Sequence, residues 1–304
     1  MYIEQPNDVP DQIDVSICMV TYQHEHYIAQ AIESVLSQKT KYRLELCIGE
    51  DGSTDGTRDI CLKYAEQYPE TIRLFLGDRK DNISILGRPS GRSNGNHLRC
   101  SARGKYAVTL EGDDFWTDPN KLQMQITFLE CHPEYVGCFH QVAKVDEQGE
   151  FLEMFSSGLE ADVKVDDVLL NTRHHTSSLL LRNTQWLSHP DDWLDEVLLF
   201  DRYLVIRATL EGKVAYFEDC MSSYRIHEGG IYSGSQAYYR AHTYIVMYRS
   251  FLKNLKGLTV EQRLRVRLSL RARSVQFVKM AISLRKFDGL CLGLKCWLYT
   301  YCYK

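Results

Sequence analysis

The sequence has no apolar run of the roughly 20 residues that a membrane-spanning helix requires. The nearest candidate is the C-terminal stretch GLCLGLKCWLYTYCY, which is short and is interrupted by Lys295. Residues 1–14 are polar and acidic, with two prolines, and do not resemble a secretory signal. These absences argue against an integral membrane protein or a secreted one, and we expect a cytoplasmic protein.

The ten cysteines form no CxxC pair and no compact framework. Several lie in apolar runs such as VSICMV and LELCIG, where a free cysteine behaves as a small buried hydrophobe. The spacing therefore argues against a disulfide scaffold or a zinc site and predicts reduced thiols. The chain also lacks internal repeats and low-complexity tracts.

The net charge of −4 conceals a strong asymmetry along the chain. Residues 240–304 contain 14 Lys and Arg but only two acidic residues, a net charge of +12. The rest of the chain has 22 basic and 38 acidic residues. A basic C-terminal segment on an acidic body predicts that this segment meets something anionic.

The core of the basic segment is EQRLRVRLSLRARSVQFVKMAISLRKF, residues 261–287. Apolar residues recur there at helical spacing between arginines, as in helices that lie on anionic membranes. The alternatives are a helix that packs on the acidic body, with its arginines paired to that body, and nucleic-acid binding. We favour the inner face of the cell membrane, as a peripheral contact, and expect no nucleic acid.

Hydrophobic periodicity predicts alternating strands and helices. The first strands are predicted at 14–21, 44–49, 72–76 and 106–110, and the helices at 26–37, 57–67, 97–103 and 119–131. Residues 77–96 are predicted to form a long loop. Later strands are predicted at 135–142, 177–181 and 215–217, with a helix at 198–211 and helices again from about 237. This alternation is typical of an α/β fold with a mostly parallel central sheet flanked by helices.

Polar residues follow three of these strands. The strands end at Thr21-Tyr22-Gln23, at the loop Glu50–Gly56 (EDGSTDG), and at Glu111-Gly-Asp-Asp. In parallel sheets the carboxyl ends of the strands share one edge, and ligands bind there. We therefore expect a pocket rimmed by carboxylates.

Such a pocket repels a diphosphate unless a cation lies between them. Asp113 and Asp114 offer the hard oxygen ligands that suit Mg²⁺ or Mn²⁺. Their alternative role is a solvated turn or a helix cap before Pro119. Asp51 suits hydrogen bonds to a nucleobase or a ribose, while the same loop also suits a cap for the helix at 57.

The run VSICMVTYQHEHYIAQAIESVLSQ, followed by EDGSTDGT and LEGDDFWTDPNKL, resembles the family 2 glycosyltransferases, which have the GT-A fold. The resemblance covers about residues 14–235. It includes TSSLLLR at 176–182, an Asp at 201 on an apolar helix and YRIHEGGIYS at 224–233. It implies a GT-A domain over 1–236, with a basic helical extension over 237–304.

The resemblance implies an inverting transferase that moves a hexose-type sugar from a UDP- or dTDP-type donor to a hydroxyl of a glycan or lipid-linked acceptor, in surface polysaccharide assembly. Asp201 would be the catalytic base. Metal ligands would be Asp114, Asp113 and His227. The nucleotide sugar would contact Thr21, Tyr22, Glu50, Asp51, Arg88 and Asp113.

Some positions depart from the family pattern. Glu50 stands where members often have Asp, and Phe200 precedes Asp201 where many have Glu, so Asp195 and Glu196 remain rival bases. An arginine near the nucleobase is expected before the fourth strand, and the candidates are Arg88, Arg92 and Arg99. His174 and His175 are adjacent, so on a strand they would point to opposite faces, and we expect a loop role near the acceptor or none.

Two other functions stay open at this point. One is a non-catalytic glycan-binding or scaffold protein that has kept the fold. The other is a nucleotidyltransferase, which would need a lysine and a glycine-rich loop after the first strand. The segment from Thr21 to His26 has neither.

Overall fold

The computed structural model describes residues 2–85, 88–155, 158–171, 174–184, 192–230 and 236–302. Its centre is an eleven-stranded sheet within these ranges, with a separate small hairpin of β5 and β6. The strands are β1 Ile3–Glu4, β2 Val15–Thr21, β3 Leu44–Glu50, β4 Ile72–Leu76, β5 Ser84–Ile85, β6 Arg88–Pro89, β7 Tyr106–Glu111, β8 Phe115–Trp116, β9 Tyr135–Val145, β10 Phe151–Met154, β11 Asp162–Val163, β12 Leu180–Arg182 and β13 Lys213–Arg225.

Helices cover the sheet on both faces. They are α1 Ile28–Leu36, α2 Thr57–Gln67, α3 Arg92–Ser101, α4 Lys121–Cys131, α5 Val165–Leu169, α6 Phe200–Glu211, α7 Ala237–Asn254, α8 Val260–Ser283 and α9 Phe287–Cys302. Short 3₁₀ turns occur at Arg79–Asp81, Thr176–Ser178 and Asp192–Glu196. The predicted α/β class is confirmed.

The N-terminal half of the sheet is parallel, in the order β4-β3-β2-β7. β2 is apolar and buried at almost every position, as expected for a strand covered on both faces. The chain winds from β2 through β3 to β4 and then returns to place β7 on the other side of β2. Strand order therefore reverses between β2 and β7, and a crevice opens there beyond their carboxyl ends.

The second half of the sheet is mixed. β12 runs antiparallel to both β7 and β9, and β13 runs parallel to β9. The strand predicted at 177–181 is in fact a 3₁₀ turn followed by the short strand β12. The turn forms because the His175 side chain accepts a hydrogen bond from the Ser177 amide and caps it.

The long loop predicted at 77–96 is partly wrong, because α3 begins at Arg92 rather than at 97. The first turn of α3 is held against the sheet by Asn94, whose amide donates to the carbonyl oxygen of Gly49 at 2.7 Å. A Cβ atom on Gly49 would lie 1.8 Å from Asn94 Oδ1, so this close approach depends on glycine. The contact is tertiary, and local composition does not reveal it.

The three C-terminal helices α7, α8 and α9 share one apolar core with α6 and the sheet. Phe251 of α7, Phe277 of α8 and Cys296 of α9 are fully buried in the same cluster as Phe139 of β9 and Ile206 of α6. No helix among the described residues combines the length and the apolar character that a bilayer crossing requires. The nine cysteines whose side chains are described are all free thiols.

Candidate active site

Three carboxylates gather where β7 ends. Glu111, Asp113 and Asp114 each offer an oxygen, and these oxygens all lie within 4.8 Å of one another. Asp113 and Asp114 are 8% and 1% exposed. The turn fits closely against β2, because a Cβ on Gly112 would come within 2.7 Å of Thr21 Oγ1. The strand ends predicted to converge do so.

The cluster contains buried oxygens without hydrogen-bond partners. Within the described ranges, neither Oδ1 of Asp113 nor Oδ2 of Asp114 receives a hydrogen bond. Buried polar atoms without partners are costly, and buried carboxylates are found paired or on metals. Three hard oxygens in this arrangement fit Mg²⁺ or Mn²⁺. Asp113, Asp114 and Glu111 would hold such an ion.

Mutual repulsion and burial perturb the protonation of these groups. Burial, with the charges of Asp113 and Asp201, raises the pKa of Glu111 to about 8. The pKa of Asp114 is raised well above its ordinary value by burial, Asp113 and Glu111. The pKa of Asp113 is lowered despite its burial, because His24 and His227 lie beside it. Perturbation of this kind is typical of functional sites.

Two histidines and an arginine hold the cluster in place. His227 Nε2 lies 3.0 Å from Asp113 Oδ2, and His24 Nε2 lies 3.7 Å from the same atom. Arg225, at the end of β13, donates its backbone amide to Asp114 Oδ1 at 2.9 Å. Its guanidinium donates to the carbonyl oxygen of Asp113 at 3.0 Å, and also to α1 and the β9–β10 hairpin.

Asp51 forms a second polar site, at the end of β3. Its carboxylate accepts hydrogen bonds from the Tyr2 hydroxyl at 2.8 Å, from Arg79 and from Asn82. The Arg79 guanidinium also lies over the Tyr22 ring, 4.1 Å from its centroid. Asp51 itself is only 1% exposed, whereas the Arg79 side chain is 22% exposed.

Glu50, predicted among the nucleotide contacts, is fully buried and holds the loop instead. Oε1 accepts from the Ser53 amide at 2.6 Å, and Oε2 pairs with Arg58 of α2. Thr21 is 2% exposed, and its hydroxyl lies 3.2 Å from His24 Nδ1. Glu50 and Thr21 are therefore buried residues that support the loops after β3 and β2.

Asp201 lies in the first turn of α6, with its side chain 24% exposed. Buried His174 contacts it: Nε2 donates to the Asp201 carbonyl oxygen at 3.0 Å and lies 3.7 Å from Oδ2. The charge of Asp201 contributes, after burial and Asp113, to the raised pKa of Glu111. Of the rival bases, Asp195 is exposed, and the side chain of Glu196 lies outside the described residues.

The three arginines that are candidates for the contact with the nucleobase lie in different surroundings. The side chain of Arg88 lies outside the described residues. Arg92 and Arg99 lie on α3 against the Phe200 ring, next to Asp201 rather than Asp51. The arginine that contacts Asp51 is Arg79, which the sequence reasoning missed.

Other residues of the site also went unnoticed. Arg225 and His227 share the segment YRIHEGG, but the sequence predicts a role in the site only for His227, as a metal ligand. Glu111 was placed at the strand end but not in the site, because alternation of side chains along a strand does not tell which face the ligand uses. Tyr2 and Asn82 could not be found, since their contact with Asp51 is made only by the fold.

The family model named glycosyl transferase family 2 matches residues 16–183, more than half of the chain. The chain belongs to glycosyltransferase family 2. The matched span holds β2, β3, β7 and the carboxylate cluster, and it ends before Asp201 and His227.

Two relatives place this family 2 chain among bacterial proteins. The uncharacterized protein Rv1520 of Mycobacterium tuberculosis is 34% identical over 219 residues, which are 72% of this chain and 60% of that protein. The chain thus spans less than two thirds of that relative. TuaG of Bacillus subtilis, a putative teichuronic acid biosynthesis glycosyltransferase, is 26% identical over 233 residues, 72% of this chain and 81% of TuaG.

Solved structures confirm the GT-A fold. Residues 1–349 of S. aureus TarS, in complex with UDP-GlcNAc, match with a TM-score of 0.63 and 17% identity over 93% of this chain and 79% of that one. The mannosyltransferase PcManGT from Pyrobaculum calidifontis, in complex with GDP-Man and Mn²⁺, matches with a TM-score of 0.57 and 15% identity over 99% and 85%.

Glu111 should make the stability of the metal-free family 2 chain depend on pH. Because its pKa rises from 4.5 to about 8 on folding, the folded state holds this proton more tightly than the unfolded state. The resulting stabilisation is complete below about 4.5 and is lost as pH rises through about 8. In urea denaturation with EDTA, Glu111→Gln should therefore gain stability relative to wild type as the pH rises across this interval.

The exposed residue Glu70 provides the matched control, since Glu70→Gln should follow wild type at every pH. A Glu111→Gln difference that stays constant across the interval would contradict the raised pKa.

Proposed function

We propose that this chain is an inverting glycosyltransferase that uses a divalent metal and a nucleotide diphosphate sugar. The observation that carries the proposal is the carboxylate cluster with its unpartnered buried oxygens, set between Asp51 and Asp201 at the reversal of strand order. A diphosphate is compatible with three carboxylates only through a cation. The family membership and the Mn²⁺ complex of PcManGT support the same conclusion.

The donor is proposed to carry a uridine or deoxythymidine base. The Arg79 guanidinium, which Asp51 holds in place, lies over the Tyr22 ring, and a hydrogen-bond donor beside an aromatic ring suits a nucleobase. The complexes of TarS with UDP and with UDP-GlcNAc support a UDP-type donor. The complex of PcManGT with GDP-Man is an example of this fold with a purine nucleotide, so the nucleotide panel described below also includes GDP.

The chemistry follows from what each group can hold. A bound metal ion would neutralise charge on the departing diphosphate. Asp201 would take the proton of the acceptor hydroxyl. As it does so, the hydroxyl oxygen forms a bond to the anomeric carbon, and the bond from that carbon to the diphosphate oxygen breaks. One displacement of this kind inverts the anomeric centre. His174 orients Asp201 by donating a hydrogen bond to the backbone carbonyl oxygen of Asp201.

The acceptor is proposed to be a growing glycan or a lipid-linked oligosaccharide in surface polysaccharide assembly. TuaG is named for teichuronic acid biosynthesis, and EpsE of Bacillus subtilis, 36% identical over 121 residues and 40% of each chain, is named a putative glycosyltransferase. The name of TuaG supports polymer synthesis, and the name of EpsE supports sugar transfer.

Nucleotide binding should depend on metal and on Asp113. In a thermal-shift panel of UDP, dTDP and GDP, one nucleotide should raise the melting temperature in the presence of Mn²⁺ and not in EDTA, because a ligand that binds only the folded state stabilises it. Asp113→Asn should remove that shift. Exposed Asp219→Asn, on β13, serves as the matched control and should retain it.

A protein that binds no nucleotide under any of these conditions would be a scaffold with the GT-A fold, and the proposal would fail.

Asp201→Asn should separate binding from catalysis. The amide keeps the shape of the side chain but cannot take a proton, so kcat should fall by about 10²- to 10⁴-fold while the Kd for the nucleotide changes little. Transfer is measured as nucleotide release on a mixed glycan acceptor extract. Asp195→Asn is the paired variant and should keep full activity. Loss of activity in Asp195→Asn, with none in Asp201→Asn, would move the base to Asp195.

The C-terminal helices α8 and α9 are proposed to rest on an anionic membrane. α9 packs through Gly289, Gly293, Cys296 and Thr300, and its opposite side exposes apolar residues: Phe287, Cys291, Leu294 and Leu298. The same side also exposes Asp288 and Lys295, so α9 presents a mixed apolar and charged surface. Amphipathic helices of this kind lie in membrane interfaces. The exposed apolar residues are therefore proposed to enter a lipid interface.

The basic residues near this surface favour a lipid with an anionic headgroup. The turn between α8 and α9 exposes Arg285 and Lys286 beside Leu284 and Phe287, and Phe287 is 77% exposed. Of the C-terminal basic residues, Arg265 forms an ion pair with Asp166 of the body. A surface of apolar side chains flanked by lysine and arginine suits anionic headgroups.

The membrane contact is tested with vesicles. Full-length protein should co-sediment with phosphatidylglycerol vesicles and not with phosphatidylcholine vesicles, and Phe287→Ser/Leu294→Ser should weaken binding at least about tenfold, since each side chain buries large apolar area. Phe151→Ser/Leu152→Ser, on the exposed strand β10, is the matched control. Equal binding to both lipids would contradict the proposal. It would also be contradicted if light scattering detected a dimer in which Phe287 is buried.

A further inference from the structure

Two buried arginines flank the residue that precedes the proposed base. Arg92 and Arg99 are seven positions apart on α3, so both point to the same side of the helix. Each is only 6% exposed. Their guanidinium carbons lie 4.3 and 4.1 Å from the centroid of the Phe200 ring. The two cations therefore share one aromatic partner at the start of α6.

Neither arginine has an anionic partner among the described residues. Arg92 donates to the carbonyl oxygens of Val197 and Leu198, and Arg99 donates to Asn96 Oδ1 at 2.6 Å. Nη1 of Arg92 and Nε of Arg99 are buried and donate to nothing in the part of the chain that the structure describes.

Buried arginines are normally compensated. Arg73 of β4, for comparison, pairs with Glu4 and Glu45. Arg92 and Arg99 have no such close ion pair. Burial and the charge of Arg99 lower the pKa of Arg92 to about 9, although the charges of Asp195 and Asp201 oppose the shift, and burial lowers the pKa of Arg99 to about 10. A buried charge without a counter-charge is among the most costly arrangements in a protein. Two together are reconciled with a stable fold if an anion joins them.

One of the two arginines also lies beside the proposed base. Arg99 and Asp201 line the same small cavity between α3, α6 and the sheet, together with Thr109, Thr176 and mainly apolar side chains, and Arg92 is not among its lining residues. The charge of Asp201 is felt at Arg92 as well. Arg202, which is also buried, does not line this cavity; it reaches the Leu169 carbonyl oxygen and the Tyr248 hydroxyl.

We propose that Arg92 and Arg99 bind an oxyanion, phosphate or carboxylate, that the acceptor carries close to the hydroxyl deprotonated by Asp201. The inference rests on the proposed function, in which Asp201 marks the acceptor side. The donor has its own sites, because its base is placed at Asp51 and its diphosphate at the carboxylate cluster. Buried guanidinium groups bind such oxyanions through strong, charge-assisted hydrogen bonds.

The test uses small probes on protein saturated with UDP and Mn²⁺, so that the diphosphate site is filled. Glycerol 3-phosphate and glucuronate are compared with their neutral counterparts, glycerol and glucose, by calorimetric titration. One of the two anions should bind and its neutral counterpart should not, and the one that binds identifies phosphate or carboxylate. Binding of neither anion, or equal binding of glycerol and glycerol 3-phosphate, overturns the proposal.

Variants then assign the binding to this pair. Arg92→Met and Arg99→Met should each weaken the anion at least about tenfold, because each removes charge-assisted hydrogen bonds. UDP affinity should stay unchanged. Arg99→Lys keeps the charge but loses the planar fork, so it should bind the anion with intermediate affinity. Arg207→Met, at a partly exposed position of α6, is the matched control.

The outcomes separate this inference from the proposed function. Anion affinity that survives in both Met variants overturns the arginine site, whatever UDP does. Folded variants that lose UDP together with the anion assign the pair to the donor and overturn the acceptor site. If UDP binds no form of the protein, the titrations are repeated without it, and a loss of anion binding in the Met variants and in Arg99→Lys but not in Arg207→Met still supports an oxyanion site.

Discussion

Repulsion among carboxylates at one edge of the sheet governs this structure. Glu111, at the end of β7, and Asp113 and Asp114, in the turn that follows, meet at a single corner, where the folded chain by itself stabilises only part of their charge. His24 and His227 stabilise the ionised form of Asp113, and Arg225 supports Asp114 through its amide. The pKa values of Glu111 and Asp114 nevertheless remain raised. A site built in this way suits a divalent cation, which is the proposed link to a diphosphate.

The opposite imbalance lies a short distance away. Arg92 and Arg99 place two buried positive charges around Phe200. Asp195 and Asp201 act on Arg92 from a distance, but neither arginine forms an ion pair within 4.0 Å among the described residues. The arginines and the carboxylate cluster each stay available to a ligand of opposite sign. Such separation is costly to folding and is expected where function requires it.

The C-terminal helices show how a basic segment can belong to the body and still face outward. Val266, Leu270 and Phe277 of α8 are buried in the core that α6 and β9 share, so the helix packs as one of the sequence-based alternatives requires. A second apolar stripe on α8, made by Leu264, Leu268, Val275 and Ile282, remains exposed. Packing on the body and contact with a membrane are therefore compatible, because they use different sides of the same helix.

Sequence alone determined the α/β class, the strands β2, β3, β4 and β7, and the convergence of their polar ends. These follow from local periodicity and from the rule that parallel strands end at one edge, and neither needs tertiary information. The family motifs also predict site roles for Asp51, Asp114, Asp201 and His227, and these roles stay predictions. The start of α3 at Arg92 and the 3₁₀ turn before β12 were missed, because contacts distant in sequence override local preference there.

Only the tertiary structure decided which neighbours these residues have. Arg79, Asn82 and Tyr2 reach Asp51 from separate segments, and Glu50 turns away from the site to pair with Arg58. The lack of a counter-charge at Arg92 and Arg99 is likewise invisible in a sequence with 40 acidic residues. The physical reason is common to all of these cases: a charge is compensated by what lies within a few ångströms in space, and distance along the chain does not report it.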